Sequence, residues 1–484
     1  MGSLQEMIKF TQEDLTRWNY NALDCMYTLE IAQVLENEIS KTNTKLQEFH
    51  KFQIEKVAPA LVDIMNQGVK IDLEKKELLK TQLTELLAST QNTINYIVGE
   101  PLNINSPTQL KTLFKDLLKI ELKIDKKSKS ESCASAYMFQ YLNEYPEYKV
   151  LLTLILEYRS IGVFLRTFVN AEVDEDGRMR TSYNCAGTKT YRLSSRKNAF
   201  GKGANLANIP SKGKIDLKYS LAALESQQDS SDEDEEFISG DYEGIHKLPN
   251  CKEFFIPDQG FKFWNADYSG ADAMVVAWDS DCQWLQNFFE TSDKKLYIYI
   301  AENYFQREVT TDDPWYKKFK QFVHLTNYGG MEEKAAASSG MPIKDAKSIK
   351  QWYFSTCPEI PDWHKRLASD VKTKGYIENV FGARGWFLNK DCPTILNQAY
   401  AWIPQSTIAI LVNKGLVNIW ENENKEDIAT LLQVHDALAG ISSLEDKEAE
   451  KRIIKHMTIE LGYKKPLVIP VDFSYSSKSY GDCK

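Results

Sequence analysis

Two aspartates stand out by what surrounds them. Asp267 ends an aromatic strand carrying Phe261, Phe263 and Trp264, and precedes Tyr268-Ser269-Gly270. An acid between a strand and a glycine turn faces a cleft and is easily solvated. That suits a reacting group, and equally an ordinary turn residue. Asp436 sits in Leu431-Leu432-Gln433-Val434-His435-Asp436-Ala437-Leu438. Three polar groups interrupt an apolar strand there, and they cost free energy unless they are paired or bind something. A capping aspartate in a hairpin turn is the plainer alternative.

Two further segments carry chemistry. In Tyr316–Tyr328, Lys320, His324 and Tyr328 follow at i, i+4 and i+8 and share one helix face, with Lys317 beside them. Phe319, Phe322, Val323 and Thr326 point elsewhere. Such a face suits a nucleotide, lysine meeting phosphate and the rings meeting sugar and base. A solvated basic face has the same composition. The other segment is Gly187-Thr188-Lys189-Thr190-Tyr191-Arg192-Leu193-Ser194-Ser195, then Asn205-Leu206-Ala207-Asn208-Ile209-Pro210. Small donors interleaved with cations can follow a sugar–phosphate backbone. An ordinary polar loop reads alike.

The elements that must position these residues fill a long chain. Its 484 residues exceed one ordinary core and predict two to four packed subdomains. Helical spacing appears over 11–49, in Leu15, Trp18, Leu23, Tyr27 and Ile31, and over 56–98 with a break at Gln67-Gly68-Val69. Ser106 and Pro107 form a helix start, and 145–170 is helical again. A strand runs from Phe261 to Ala266, and Ala429 to Gly440 reads as a half-buried strand, a tight turn and the start of another. Eight cysteines include no CxxC pair, so reduced, mostly buried thiols are expected rather than zinc or disulfides. No apolar run spans a bilayer and no secretion signal opens the chain, which predicts a cytoplasmic setting.

The formal charge of −9 argues at first against a polyanionic partner. Nine acids between Glu225 and Gly244, with no lysine or arginine among them, account for all of it. That stretch reads as a solvated insertion. The neutral remainder can still carry a basic groove, because local field outweighs total charge.

In order and content these segments resemble the family A DNA polymerases, and within them the bacteriophage members. Thr190–Ser195 with Asn205–Pro210 looks like TGRLSS…NLQNIP. Asp267-Tyr268-Ser269-Gly270-Ala271-Asp272 looks like motif A, Lys320 through Gly329 like motif B, and Gln433-Val434-His435-Asp436 like motif C. Gly375–Glu378 with Phe381–Arg384, Asn103–Leu110 and Asp176–Arg178 also fit. The resemblance covers about residue 50 to the end.

The resemblance implies an α+β right-hand fold: a palm with an antiparallel sheet, and helical fingers and thumb. The divisions expected are 50–172 thumb, 173–280 first palm part with the insertion 225–244, 281–390 fingers, and 391–484 second palm part. It implies a template-directed DNA polymerase that extends a primer with dNTPs in bacterial or phage replication, as a monomer without membrane contact. Replication accessory proteins are further partners it allows. Asp267, Asp436 and the Tyr268 carbonyl would hold two Mg²⁺, with Mn²⁺ as substitute, because hard cations relieve two crowded carboxylates. Lys320, Lys317, His324, Tyr328, Asp272 and Tyr297 would meet the nucleotide. Arg192, Asn208, Gln405, His435, Lys189 and Arg384 would meet the primer–template.

This sequence departs from the family at several of these places. Asp272 is one methylene shorter than the usual glutamate set against a 2′-OH, and His324 replaces the motif B aromatic, so the strength of sugar selection is open. Tyr316 stands for an arginine, Tyr297 for a histidine, Ala401 for an asparagine and Ala437 for an acid. Tyr20-Asn21-Ala22-Leu23-Asp24 resembles the last motif of proofreading exonucleases. Residues 1–49 thus look like the tail of such a domain, with no proofreading expected from this chain. Two rival readings are a single-subunit RNA polymerase, separated by comparing dNTP with rNTP incorporation, and an inactive primer–template binder, which retention of Asp267, Asp436 and Lys320 opposes.

Overall fold

The computed structural model describes residues 12–125, 129–209, 250–339, 341–388 and 394–483. The acidic stretch 225–244, Pro210 and Cys392 lie outside the described residues.

Local chemistry sets the early helices. α1 (Gln12–Ser40), α2 (Thr44–Phe52) and α3 (Ala58–Gln67) come first. Gly68, at φ +62°, stops α3 in a conformation most side chains avoid. β1 (Val69–Lys70) leads into α4 (Leu73–Val98), capped by the Asp72 carboxylate accepting from the Lys75 N–H. α5 (Pro107–Thr112) opens as expected, with Ser106 accepting from the Gln109 N–H and Pro107 in the first turn. α6 (Ser135–Glu144) and α7 (Lys149–Phe164) complete a helical cluster whose own core includes Ile94, Leu110, Phe114, Tyr141 and Leu152. α1 is helical as its spacing predicts, yet Leu15, Trp18, Leu23, Tyr27 and Ile31 are all exposed. Periodicity aligns side chains; burying them needs a facing surface.

Short strands β2 (Arg178–Met179), β3 (Ser182–Asn184) and β4 (Ser194–Arg196) lead toward the central sheet. β5 (Phe261–Tyr268) is followed by α8 (Ala271–Asp279), α9 (Gln283–Thr291), α10 (Leu296–Phe305), α11 (Pro314–Asn327), α12 (Glu332–Ser339), α13 (Ile343–Thr356) and α14 (Glu359–Lys374). A small hairpin, β6 (Tyr376–Glu378) and β7 (Arg384–Trp386), precedes the long α15 (Ile395–Asn422). Then come β8 (Ile428–Val434), β9 (Ala437–Ser443), α16 (Ala449–Met457), β10 (Glu460–Leu461), β11 (Leu467–Val468) and β12 (Val471–Ser476).

The principal sheet is antiparallel, in the order β12-β5-β9-β8. Side chains alternate across it. Trp264, Ala266 and Tyr268 face a core shared with α8 and α15, while Phe263 joins Phe254, Phe255 and Tyr480 in a second core. Both faces are therefore covered. That is why every residue of β8 is buried, where alternation with solvent was expected. Asp267 also lies inside β5 rather than just beyond it. Cys133, Cys251, Cys282 and Cys357 are buried free thiols, as expected; Cys25 is exposed.

Candidate active site

Strand register brings the two aspartates together. Asp267 on β5 lies opposite Ala437 on β9, and Asp436 is the second residue of the two-residue turn that precedes Ala437. The pair is thus close enough for the Asp436 charge to act on Asp267. The Tyr268 N–H donates to the Asp436 carbonyl at 3.3 Å and ties the turn to β5. His435 takes φ +54° at this turn and is exposed. The preceding strand is clamped: the Tyr183 hydroxyl donates to the Gln433 carbonyl at 3.3 Å and accepts from its N–H at 3.1 Å. The Gln433 side-chain NH₂ donates to the Asn413 side-chain oxygen at 2.9 Å.

The β5–β12 register adds an acid that no motif marked. Asp472 lies directly across from Asp267. Residues paired in this way have their side chains on one face of the sheet. The Ser269 hydroxyl donates to the Asp472 carboxylate. Solvent reaches Asp267, yet protein encloses its carboxyl on the remaining sides. That enclosure first, then the charges of Asp436 and Asp472, push its pKa up to about 6. Lys252 partly offsets this. Its ammonium lies 4.4 Å over the Tyr480 ring and donates to the Tyr480 hydroxyl at 3.3 Å, and burial lowers its own pKa. Neither Asp472 nor Lys252 carries a signal in the sequence; long-range pairing alone reveals them.

This crowding of like charge is the observation that fits a divalent cation. The donors are hard oxygens, and a cation would offset both the burial and the neighbouring charges that raise the Asp267 pKa. Among the described residues no three His, Cys, Asp or Glu side chains are placed to hold one ion.

A second constellation gathers beside the first. Asp272 is in the first turn of α8, entered through Gly270 at φ +62°. Its carboxylate accepts from the Tyr328 hydroxyl at 2.6 Å. Tyr328 caps α11, and its ring lies 4.4 Å from that of His324. Burial first, then Asp272, push the Tyr328 pKa well up, while Arg192 opposes the shift. Burial and the Asp272 charge raise Tyr297 in the same way. Four segments distant in the chain thus meet at Asp272, Tyr328, Tyr297 and Arg192. Phe319, Phe322, Val323 and Thr326 are buried on the opposite face of α11, while Lys317 and Lys320 are exposed. α11 itself is fixed by Asp313, which accepts from the Trp315 N–H, and by Pro314 in its first turn.

The basic segment is pinned to its neighbours. The Tyr191 hydroxyl donates to the Arg384 carbonyl at 2.9 Å, and the Trp402 indole to the Lys189 carbonyl at 2.8 Å. Tyr191 also meets Phe49 edge-on at 4.9 Å. Lys189 is exposed; Asn208 and, on α15, Gln405 are half-buried. Arg384 differs from the others. Its guanidinium donates to Glu378 at 3.0 Å and lies 4.4 Å over the Tyr376 ring, so its side chain is committed to the β6–β7 hairpin.

Comparison with known proteins gives a concordant result. The model of DNA polymerase family A matches residues 73–480. The thermostable DNA polymerase I of Thermus filiformis is 22% identical over 452 residues, covering 91% of this chain and 49% of that protein. DNA polymerase I of Geobacillus stearothermophilus is 23% identical over 440 residues, covering 88% and 45%. The chain spans about half the length of the curated relatives it matches. Among solved structures, the POL domain of Pol1 from M. smegmatis, in complex with DNA primer-template and dNTP, matches with a TM-score of 0.71 at 20% identity. That match covers 88% of this chain and 69% of the other, and the shared architecture is the right-hand polymerase fold. Among the described residues no helix is long and apolar enough to cross a membrane.

Proposed function

The chain belongs to DNA polymerase family A, and from that premise we propose that it extends a primer 3′-OH with dNTPs under the direction of a DNA template. The observation that carries this reading is the sheet register that sets Asp267 beside Asp436, with the Asp272–Tyr328 pair adjoining. In this assignment residues 50–172 are the thumb, 281–390 the fingers, and 173–280 with 391–484 the palm.

Asp267, Asp436 and the Tyr268 carbonyl would hold two Mg²⁺. Bound there, the ions supply a lowered pKa at the primer hydroxyl and charge neutralisation at the triphosphate. The protein's own groups do the rest. Lys320 and Lys317 project from α11 to meet the phosphates and offset developing negative charge. Tyr328 and His324 offer ring faces to the nucleotide base and sugar. The Tyr328–Asp272 hydrogen bond closes the space beside the sugar and holds both side chains in one place. Arg192, Lys189, Asn208, Gln405 and His435 line the path of the primer–template. Arg384 acts through its carbonyl, which anchors Tyr191 beside Arg192.

The test is extension of a labelled primer with each dNTP in turn, with and without Mg²⁺. Correct, template-matched, Mg²⁺-dependent addition is expected; binding without addition would leave only a DNA-binding protein. Asp272→Ala should open the sugar side and reduce the preference for dNTP over rNTP by on the order of tenfold, the scale of losing one steric and hydrogen-bonded contact. Single-turnover incorporation of each sugar checks this, and an unchanged ratio removes Asp272 from sugar selection.

The metal assignment has a readout independent of turnover. Neutralising Asp267 relieves like-charge repulsion, so Asp267→Asn should raise the melting temperature of the metal-free protein at pH 8. The gain is on the order of 1 kcal/mol, because solvent screens the exposed carboxyl. Millimolar Mg²⁺ should then stabilise the wild type and leave the variant unmoved. Equal stabilisation of both proteins would place the ion elsewhere.

A further inference from the structure

One cationic, aromatic feature lies apart from the candidate active site. The chain leaves β4 at Arg196 and returns at Ala204 through a tight tip that presents Phe200, which is 87% exposed. A single exposed phenylalanine is common, but this one is held firmly. The Asn198 side chain accepts from the N–H groups of Phe200 and Lys202, both at 3.0 Å. The Asn198 N–H donates to the Lys202 carbonyl at 2.9 Å, and the Gly201 N–H to the Asn198 carbonyl at 3.0 Å. The root is equally fixed: the Gly203 N–H donates to Glu172 and the Ala204 N–H to Arg180. Gly203 sits at φ +80°, where a Cβ would come within 1.8 Å of the Arg180 carbonyl oxygen.

Its charge is one-sided. No acid occurs from Gly177 to Ile209, although the whole chain is acidic. Arg178 and Arg180 are paired with Asp258, Asp174 and Asp176. Arg196 and Lys197, next to the tip, are exposed, and Lys202 lies 3.9 Å from Asp174. An exposed ring between cations has the chemistry of a nucleic-acid contact: cations for phosphates, ring for sugars and bases.

Both limbs start from the candidate site. Arg192, whose charge acts on Tyr328, lies just before β4, and Asn208 follows the return limb. Phe200 is eight residues from Arg192, so the tip reaches at most about 28 Å from it. At 3.4 Å per step that is about eight base pairs.

The geometry points to the 196–203 tip as a separate contact for the duplex behind the primer end. Phe200 lies against the sugars and base edges of the minor groove, and Arg196 and Lys197 hold the flanking phosphates. This rests on the polymerase reading above. The test is fluorescence anisotropy with primer–templates carrying 4 or 14 base pairs of duplex. Phe200→Ala should weaken binding to the longer duplex about tenfold, the scale of one lost aromatic contact, and leave the shorter unchanged. Arg196→Ala with Lys197→Ala should flatten the salt dependence on the longer duplex by a slope of about 2. All three side chains are exposed, so folding is not at stake. Equal loss on both duplexes, or no loss on either, overturns the inference. Failure of the wild type to bind either duplex defeats the polymerase reading instead.

Discussion

Asp436→Asn is expected to lower single-nucleotide extension by about a thousandfold, with primer–template affinity changed no more than a few-fold. Asp267→Asn should do the same. Asparagine keeps the shape of the side chain and removes only its charge. On the proposed assignment, what disappears is the hold on a cation that would act as Lewis acid, worth several kcal/mol at the transition state. Each 1.36 kcal/mol is a factor of ten in rate. In the proposed assignment substrate binding draws instead on Lys320, Arg192 and groups outside the pair, so it should persist. Rapid-quench extension alongside anisotropy separates the two quantities. A near-normal rate in either variant would mean that the convergence of Asp267 and Asp436 has no catalytic meaning.

Gly440→Val should be the most damaging substitution in the sheet. Gly440 is in the middle of β9, the strand that lies between β5 and β8. A Cβ there would stand 2.0 Å from the Ala429 carbonyl oxygen and 2.7 Å from the Trp264 ring. One is sheet backbone and the other a fully buried indole, so neither can yield. Overpacking of this kind costs about 3 kcal/mol or more, and relieving it would part β9 from β8, the two strands that carry Asp436 between them. A sharply lower urea midpoint, with extension lost in parallel, is the expected result. Gly462→Ala is the matched control. A Cβ at Gly462 meets nothing within 4 Å, and its effect should stay within about 0.5 kcal/mol. If the two variants unfolded alike, the close packing at Gly440 would not be what holds the sheet.

The readable parts of this chain were those governed by neighbours in sequence. Ser106 and Pro107 start a helix where turn chemistry placed one. The face of Lys320, His324 and Tyr328 follows from the helical repeat, and the buried side of α11 is the one the apolar residues predicted. Misreadings came where a second layer intervened. β8 looked half-buried because Gln433, followed by His435 and Asp436, breaks its apolar run, yet cores press on both faces of the sheet, the Gln433 side-chain NH₂ donates to Asn413, and Tyr183 takes up the Gln433 backbone. The ion pair of Arg384 with Glu378 and its place over the Tyr376 ring were likewise invisible in the sequence. The apolar stripe of α1 was legible as a helix face but said nothing of what, if anything, lies against it.

By itself the sequence determined which residues could do chemistry and in what order they come, because motif spacing, caps and the 3.6-residue repeat are properties of a few adjacent peptide units. Only the tertiary structure decided that Asp472 lies across from Asp267, that the Asp436 charge acts on Asp267, and that Asp272 takes the Tyr328 hydroxyl. Strand register between segments nearly two hundred residues apart is settled by which side chains fill the two cores, and a slip of one residue would turn Asp267 to the opposite face of the sheet.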